Sequence, residues 1–297
     1  MSELASKSRM TLPGREAIST RGWLAAHKWL LARRLSQLGI LALFLAGPWF
    51  GVWIVKGNLS SSLVFNLLPL TDPYVLLQSL AARHWPEWTT LATALTGAAI
   101  MLGVYLLVGG RVYCAWVCPM NLVTDAAAWL RRRIGIKTGR APAVALRHWL
   151  LAATLLLAAV TGSLAWELVN PVSMLHRGLI FGMGLGWGIV AAIFLFDLLM
   201  ASRGWCGHVC PVGAFYGLLG KAALVRVSAV RRSACNDCLD CYSVCPEPQV
   251  IRPALKAIGQ QSPLIYAADC SNCGRCIDVC SKDVFRFTTR FDLRSDS

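Results

Sequence analysis

Charge is what this 297-residue chain has least of: 15% of its residues are Asp, Glu, Lys or Arg, where a soluble domain usually carries about a quarter. That deficit excludes an ordinary soluble globular protein. Acidic residues are scarcer still, 15 against 29 Lys and Arg, giving a net charge of +14. The bases lie beside long hydrophobic runs and form no separate basic domain, which speaks against nucleic acid and for an anionic membrane surface as the partner. The segment 1–34 carries Lys7, Arg9, Arg15, Arg21, Lys28, Arg33 and Arg34 but lacks the short apolar core and small-residue cleavage site of a signal peptide. It is expected to remain attached as a basic cytoplasmic segment.

What the chain does have, before about position 200, is long uncharged stretches. Leu35 to Val55 ends at Lys56, Trp88 to Gly110 lies between Glu87 and Arg111, Trp149 to Trp166 lies between His148 and Glu167, and Gly178 to Phe196 runs on to about residue 200. Each approaches the ~20 residues that a helix needs to cross the hydrocarbon core. The expected architecture is an α-helical membrane protein with four transmembrane helices over 35–202, a connector over 203–232 and a small α+β domain over 233–297. Lys and Arg number seven before the first run, two in 56–87, seven in 111–147 and one in 167–177. By the positive-inside bias this predicts a multi-pass protein of the bacterial inner membrane with both termini cytoplasmic. The apolar stretch 58–82 contains Pro69, Asp72 and Pro73, which favours a re-entrant or interfacial element over a fifth span.

The membrane region repeats itself. After the second run the chain reads GGRVYCAWVCPMN and after the fourth SRGWCGHVCPVGA, so C-x-x-x-C-P occurs twice, each time behind a pair of runs whose outer connection holds Asp72-Pro73 or Asn170-Pro171. Two related hairpins follow. An i, i+4 spacing would set Cys114 with Cys118, and Cys206 with Cys210, on one helix face, and Pro119 and Pro211 suit a first helical turn. A redox dithiol, a metal site, an additional cluster and plain packing of small hydrophobes are all open for these thiols. Asp197, near the end of the fourth run, suits either a proton or packing network or a side chain reaching the interface. Glycines 47 and 51, and 182, 184, 186 and 188, suit close helix packing.

The remaining eight cysteines crowd into the tail. Cys235, Cys238, Cys241 and Cys245, followed by Pro246, have the spacing C-x2-C-x2-C-x3-C-P, and Cys270, Cys273, Cys276 and Cys280 repeat it, with Ser281 in place of the final proline. This is the pattern of two-cluster bacterial ferredoxins, in which the fourth cysteine of each run ligates the other cluster. Cys235, Cys238, Cys241 and Cys280 are therefore expected on one [4Fe–4S] cluster, and Cys270, Cys273, Cys276 and Cys245 on the second. A single zinc ion has no use for three evenly spaced thiolates plus a fourth, twice over, and a cytoplasmic tail argues against disulfides.

With these motifs, and with GPWFGVW, PLTDP, VNPVS, FLFDLL, CPEP and CGRC, nearly the whole chain resembles the ferredoxin-type quinol dehydrogenases of periplasmic nitrate reduction, the NapH type. The resemblance implies a membrane electron carrier that takes electrons from quinol and passes them to a periplasmic iron–sulfur partner of the NapG type, and possibly to a tetrahaem cytochrome. Quinol enters from lipid and releases two protons, so its site needs an apolar slot with a few polar groups at the membrane edge. Asp72, His84, Asn170 and His176 are the candidates, although Asp72 and Asn170 also suit capping of the helix begun by the following proline. Two rival classes are a ferredoxin-type copper reductase or assembly factor, since soft thiolates favour Cu(I), and a redox-sensing membrane anchor.

Overall fold

A computed structural model describes residues 13–84, 87–136, 139, 141–182, 184, 186–256 and 262–292. Lys7 and Arg9 of the basic amino-terminal segment, Lys137 and Arg140 of the central basic loop, and the last five residues lie outside them. The chain divides into two compact units. One comprises Met1–Ser36, Tyr105–Trp116 and Gly217–Ser297, the other Gln37–Val104 and Val117–Tyr216.

In chain order the main elements are α1 (Lys28–Phe50), the strands β1 (Val55–Gly57), β2 (Ser61–Val64) and β3 (Leu68–Thr71), then α2 (Pro73–Ala81) and α3 (Trp88–Val108). After the first cysteine motif come α4 (Met120–Ile134), α5 (Leu146–Thr161), α6 (Pro171–Phe181) and α7 (Gly186–Leu199). The second motif leads into α8 (Pro211–Gly220), and the tail contributes β4 (Val225–Ala229), β5 (Phe285–Thr289) and short helical turns around the cysteines.

Among the described residues, α1 with 23 residues and α3 with 21 are long and apolar enough to cross a membrane; α5, α7 and α8 are apolar but shorter. The run expected to span 178–200 is divided. Its first residues close α6 at Phe181, Gly182 turns the chain at φ 91°, and α7 starts at Gly186. The first run is displaced as well, because α1 begins at Lys28 and its continuation past Phe50 is cut short by the turn at Gly51, φ 73°. Pro48 is accommodated inside the last turn of that helix.

The stretch 58–82 contains structure that apolarity alone concealed. β1, β2 and β3 form an antiparallel meander, with Lys56 opposite Leu63 and Leu63 opposite Pro69. Its third strand lies hard against α3: a Cβ on Gly97 would come within 3.0 Å of Thr71 Oγ1, the Pro69 carbonyl and the Thr71 nitrogen. Two of those three atoms are backbone and cannot step aside. α2 follows at once. Asp72 caps it by accepting from the Tyr74 N–H at 2.8 Å, with Pro73 in the first turn, where a missing N–H costs nothing. Asn170 caps α6 in the same way through the Val172 N–H at 3.1 Å.

In the other unit, β4 and β5 pair antiparallel with Val227 opposite Phe287, and Leu264 bridges Ser228. Val227, Ala229, Ile251, Leu255, Ile265, Val284 and Phe285 form the core beneath the cysteines. Asp278 accepts the first N–H groups of α1, from Trp29 at 3.1 Å and Leu30 at 2.8 Å, and so closes the helix start within the same unit.

Gly97→Ala should lower the thermal stability of the detergent-solubilised protein by an amount in the ~1–3 kcal/mol range of overpacked sites. Gly39→Ala, where a Cβ meets nothing within 4 Å, should be neutral or stabilising by up to ~1 kcal/mol. Equal melting temperatures for the two variants would show that β3 does not press on α3.

Candidate iron–sulfur and redox sites

Both C-x-x-x-C-P motifs fold as one turn of π-helix, Tyr113–Val117 and Trp205–Val209, instead of presenting two thiols on the face of an α-helix. The cause is the proline. A residue before proline is pushed out of the α region, and Cys210 is extended, at φ −67° and ψ 116°. The chain must leave the helix at the second cysteine, and the wider turn achieves this with a bond from the Cys210 N–H to the Trp205 carbonyl at 2.9 Å. Pro211 then opens α8, and Pro119 stands just ahead of α4.

Asp197 receives the Trp205 N–H at 2.9 Å and is fully buried, so this acid caps the second π turn. Arg147 donates to the Gly207 carbonyl at 2.9 Å, and Arg203 pairs with Asp125 of α4 at 3.0 Å. Cys206 Sγ lies 3.9 Å from Thr124 Oγ1. Cys118, Cys206 and Cys210 belong to this unit, and Cys114 to the other.

The segments that carry Asp72 and Asn170 pack on elements next to the cysteine motifs, and they cross. Asp72, at the head of α2 in the first half, accepts from the Tyr216 hydroxyl of α8 at 3.0 Å. Tyr74 packs on Phe215 with ring centroids 5.4 Å apart. In the other half, Val172 and Leu175 of α6 share a core with Met120 of α4, flanked by Cys118 and Val123. Each proline-led helix thus packs on the motif of the opposite repeat. α2 thus brings Tyr74 onto α8, the helix that Pro211 opens directly after Cys210.

A second carboxylate joins Asp72. Glu167 accepts from Asn170 Nδ2 at 3.0 Å, from the Ser173 hydroxyl and, at 3.4 Å, from Ser60, whose carbonyl takes the Asp72 N–H at 2.9 Å. Burial pushes the Asp72 carboxyl up to about 6, with the Glu167 charge adding to the rise against the hydrogen bonds from Tyr74 and Tyr216. His176 is buried with its ring edge-on to Phe44, and burial, then Arg177, holds it below the ordinary imidazole value. His84 stands apart: it is exposed, and its Nε2 bonds the Gly162 carbonyl at 2.8 Å. Sequence reasoning treated Glu167 only as a span boundary and passed over Tyr74, Gln78 and Tyr216. The repeat held a signal for Gln78, because aligning Asp72-Pro73 with Asn170-Pro171 sets it opposite His176, and both are buried.

In the tail, one cup is lined by Cys235, Cys238, Cys241 and Cys280, and a second by Cys245, Cys270, Cys273 and Cys276. Each therefore gathers three cysteines of one run and the last of the other. Burial drives the Cys241 thiol far up, with Cys238, Cys280 and Cys235 reinforcing it, and raises Cys270 to about 11. Burial opposes ionisation of Cys273 too, yet Arg275 and Arg33 outweigh it and hold that thiol below its ordinary value. Among the described residues, no three His, Cys, Asp or Glu side chains converge closely enough for a single metal ion. Each group of four cysteines lines one cup, and soft thiolates are the ligands that a [4Fe–4S] cluster takes.

The chain matches the 4Fe-4S binding domain at residues 90–137 and again at 180–232, one copy over each C-x-x-x-C-P motif, and the 4Fe-4S dicluster domain at 229–289. It is 50% identical over 285 residues to the ferredoxin-type protein NapH of Escherichia coli (strain K12), covering 96% of this chain and 97% of that one. The chain belongs to the ferredoxin-type NapH family. It is a membrane iron–sulfur electron-transfer protein. The methylamine utilization ferredoxin-type protein MauN of Paracoccus denitrificans is 56% identical over 262 residues, 88% of this chain and 90% of that one. No solved structure matches.

Anaerobically purified protein should carry about eight irons from two cubanes. Cys280→Ala should reduce that to about four, leaving one cluster visible by electron paramagnetic resonance, because the first cup loses its crossing ligand. Retention of both clusters, or zinc in place of iron, would refute the crossed assignment.

Proposed function

We propose that this protein oxidises a membrane quinol and delivers its electrons, by way of two [4Fe–4S] clusters, to a periplasmic iron–sulfur partner of the NapG type in nitrate reduction. The clusters are held by Cys235, Cys238, Cys241 and Cys280, and by Cys245, Cys270, Cys273 and Cys276. When bound, they supply one-electron storage. The observation that carries the reading is the junction of Asp72, Glu167 and Asn170 with the Cys210 motif. Quinol oxidation releases two electrons and two protons, and at this junction two carboxylates stand at the heads of proline-led helices, one of them bonded to the helix that follows Cys210.

Here Asp72 and Glu167 take the protons, while Asn170 and Ser173 orient the Glu167 carboxylate. The Tyr216 hydroxyl steadies Asp72, and His176 stays neutral and available to hydrogen-bond a quinol oxygen. The thiols Cys114, Cys118, Cys206 and Cys210 serve the electron path, and Asp197 keeps the second π turn in place for it. Four spans, formed by α1, α3, α5 and α7, with both termini in the cytoplasm of a bacterial inner membrane, complete this reading.

A second setting is favoured by the 56% identity to MauN, whose name places it in methylamine utilization. The same quinol and cluster chemistry would then serve a different periplasmic redox system.

Asp72 accepts a proton only when ionised, so quinol-driven cluster reduction should rise as pH increases through about 6. Asp72→Asn should remove that limb and slow reduction ~10²–10⁴-fold. Its folded-state value lies above the unfolded ~3.9, so the folded chain binds this proton more tightly and Asp72 subtracts stability as pH rises between those two values. The Asn variant should lose that slope. A rate independent of both pH and the substitution would remove Asp72 from the chemistry.

A reporter fused after Ala82 should score periplasmic, and one at Ser297 cytoplasmic. A cytoplasmic score at Ala82 would break the four-span topology.

A further inference from the structure

The two cups differ in what lies behind them. The cup of Cys235, Cys238, Cys241 and Cys280 is bordered by Asp237 and Lys282. Asp237 pairs with Lys256, and Lys282 lies 3.9 Å from Glu16, all of these side chains being at least 40% exposed. Its charges are screened by water and largely cancel. The cup of Cys245, Cys270, Cys273 and Cys276 is bordered instead by Glu247, Asp269 and the buried Arg275.

Arg111 grips this second cup from the segment Tyr105–Trp116. Its Nη1 pairs with Glu247 at 2.8 Å and donates to the Asp269 carbonyl at 3.0 Å, and both side chains of the Arg111–Glu247 pair are nearly fully buried. Three residues on, Cys114 donates its N–H to the Arg111 carbonyl at 3.1 Å. Trp116, inside the same motif, donates its indole N–H to the Asn272 carbonyl at 3.1 Å, between ligands Cys270 and Cys273. Asn272 returns two bonds of 2.9 Å, to the carbonyls of Val108 and Val225. Gly109 makes room for it: a Cβ there would stand 2.7 Å from Asn272 Nδ2. The first cysteine motif and the residues leading into it are thus bonded to the ligand loop of one cup, by the indole of Trp116 within the motif and the cation of Arg111 just before it.

We propose that the Cys245, Cys270, Cys273 and Cys276 cup is the gateway through which electrons pass between the first C-x-x-x-C-P motif and the ferredoxin-like tail, with Arg111 setting its cluster's potential and Trp116 coupling it to the motif. This rests on the two cups holding [4Fe–4S] clusters. Quinol is the donor: it gives up two electrons and two protons, and each cluster takes one electron, passing from [4Fe–4S]2+ to [4Fe–4S]1+. The reduced cluster is the more negative, so a buried guanidinium favours reduction, and replacing it leaves the Glu247 carboxylate buried without its counter-charge, which acts in the same direction. Arg111 and Trp116 act through the ligand loop that they hold, and they are positioning residues.

The test uses the whole chain in detergent. In a redox titration followed by electron paramagnetic resonance, Arg111→Gln should shift one of two cluster potentials downward and leave the other in place, with Arg111→Lys restoring most of the shift. The signal that moves should be the one that survives in Cys238→Ser, which removes a ligand of the other cup. Trp116→Phe should slow cluster reduction by menaquinol or ubiquinol analogues in stopped-flow measurements, while full reduction by dithionite is retained. If both potentials move together, if the other cup's cluster moves, or if Trp116→Phe reduces at the wild-type rate, the gateway assignment is wrong. If Arg111→Gln fails to assemble clusters, the Trp116→Phe rate decides. Absence of two cluster signals in the unaltered protein would instead overturn the cluster reading beneath it.

Discussion

Asp72 does two jobs with one carboxylate. It caps α2 through the Tyr74 N–H and grips the Tyr216 hydroxyl of α8, 144 residues further along the chain. Leaving a buried carboxylate without donors is expensive, so the head of α2 is fixed wherever Tyr216 stands. That constraint brings the start of α2 onto α8, where Tyr74 meets Phe215. Glu167 and Asn170 repeat the arrangement at the head of α6 with different chemistry, a carboxylate ordering an amide that caps the helix. The two halves of the unit are therefore interlocked, each repeat's proline-led helix seated on the other's motif.

Interlocking of this kind changes what an electron carrier can do. Within one packed unit it sets the buried carboxylate network of Asp72 and Glu167 against helices that flank the C-x-x-x-C-P motifs. The tail solves a related problem by crossing its ligands. Because each cup borrows one cysteine from the other run, neither can be completed without the β4–β5 pairing and the core beneath it.

Much of this was legible in the residues. Proline after Asp72 and Asn170 announced capped helix starts, and both caps are present. The spacing of eight tail cysteines specified two groups of four with exchanged last members, and the cups have that membership. Apolar runs located α1 and α3, which are long enough to span. The meander of β1 to β3 was not legible, because short strands in an apolar stretch leave the same hydropathy trace as a membrane-dipping loop. The π turns were missed because a spacing of four is shared by α and π geometry until the proline's effect on the preceding cysteine is counted.

The sequence by itself determined which residues can bind iron and sulfur, where apolar chain is long enough for lipid, and that the membrane region is a duplicated unit. These are local properties: side-chain softness, run length and motif recurrence are written within a few dozen residues. Only the tertiary structure decided that the repeats cross, that Asp72 and Glu167 join one network, and that Arg111 and Trp116 bind a single cup. Each of those depends on contacts between residues 80 to 160 positions apart, such as Asp72 with Tyr216, Ser60 with Glu167 and Trp116 with Asn272. No local pattern encodes such pairings; they are fixed only when buried polar groups must all find partners at once.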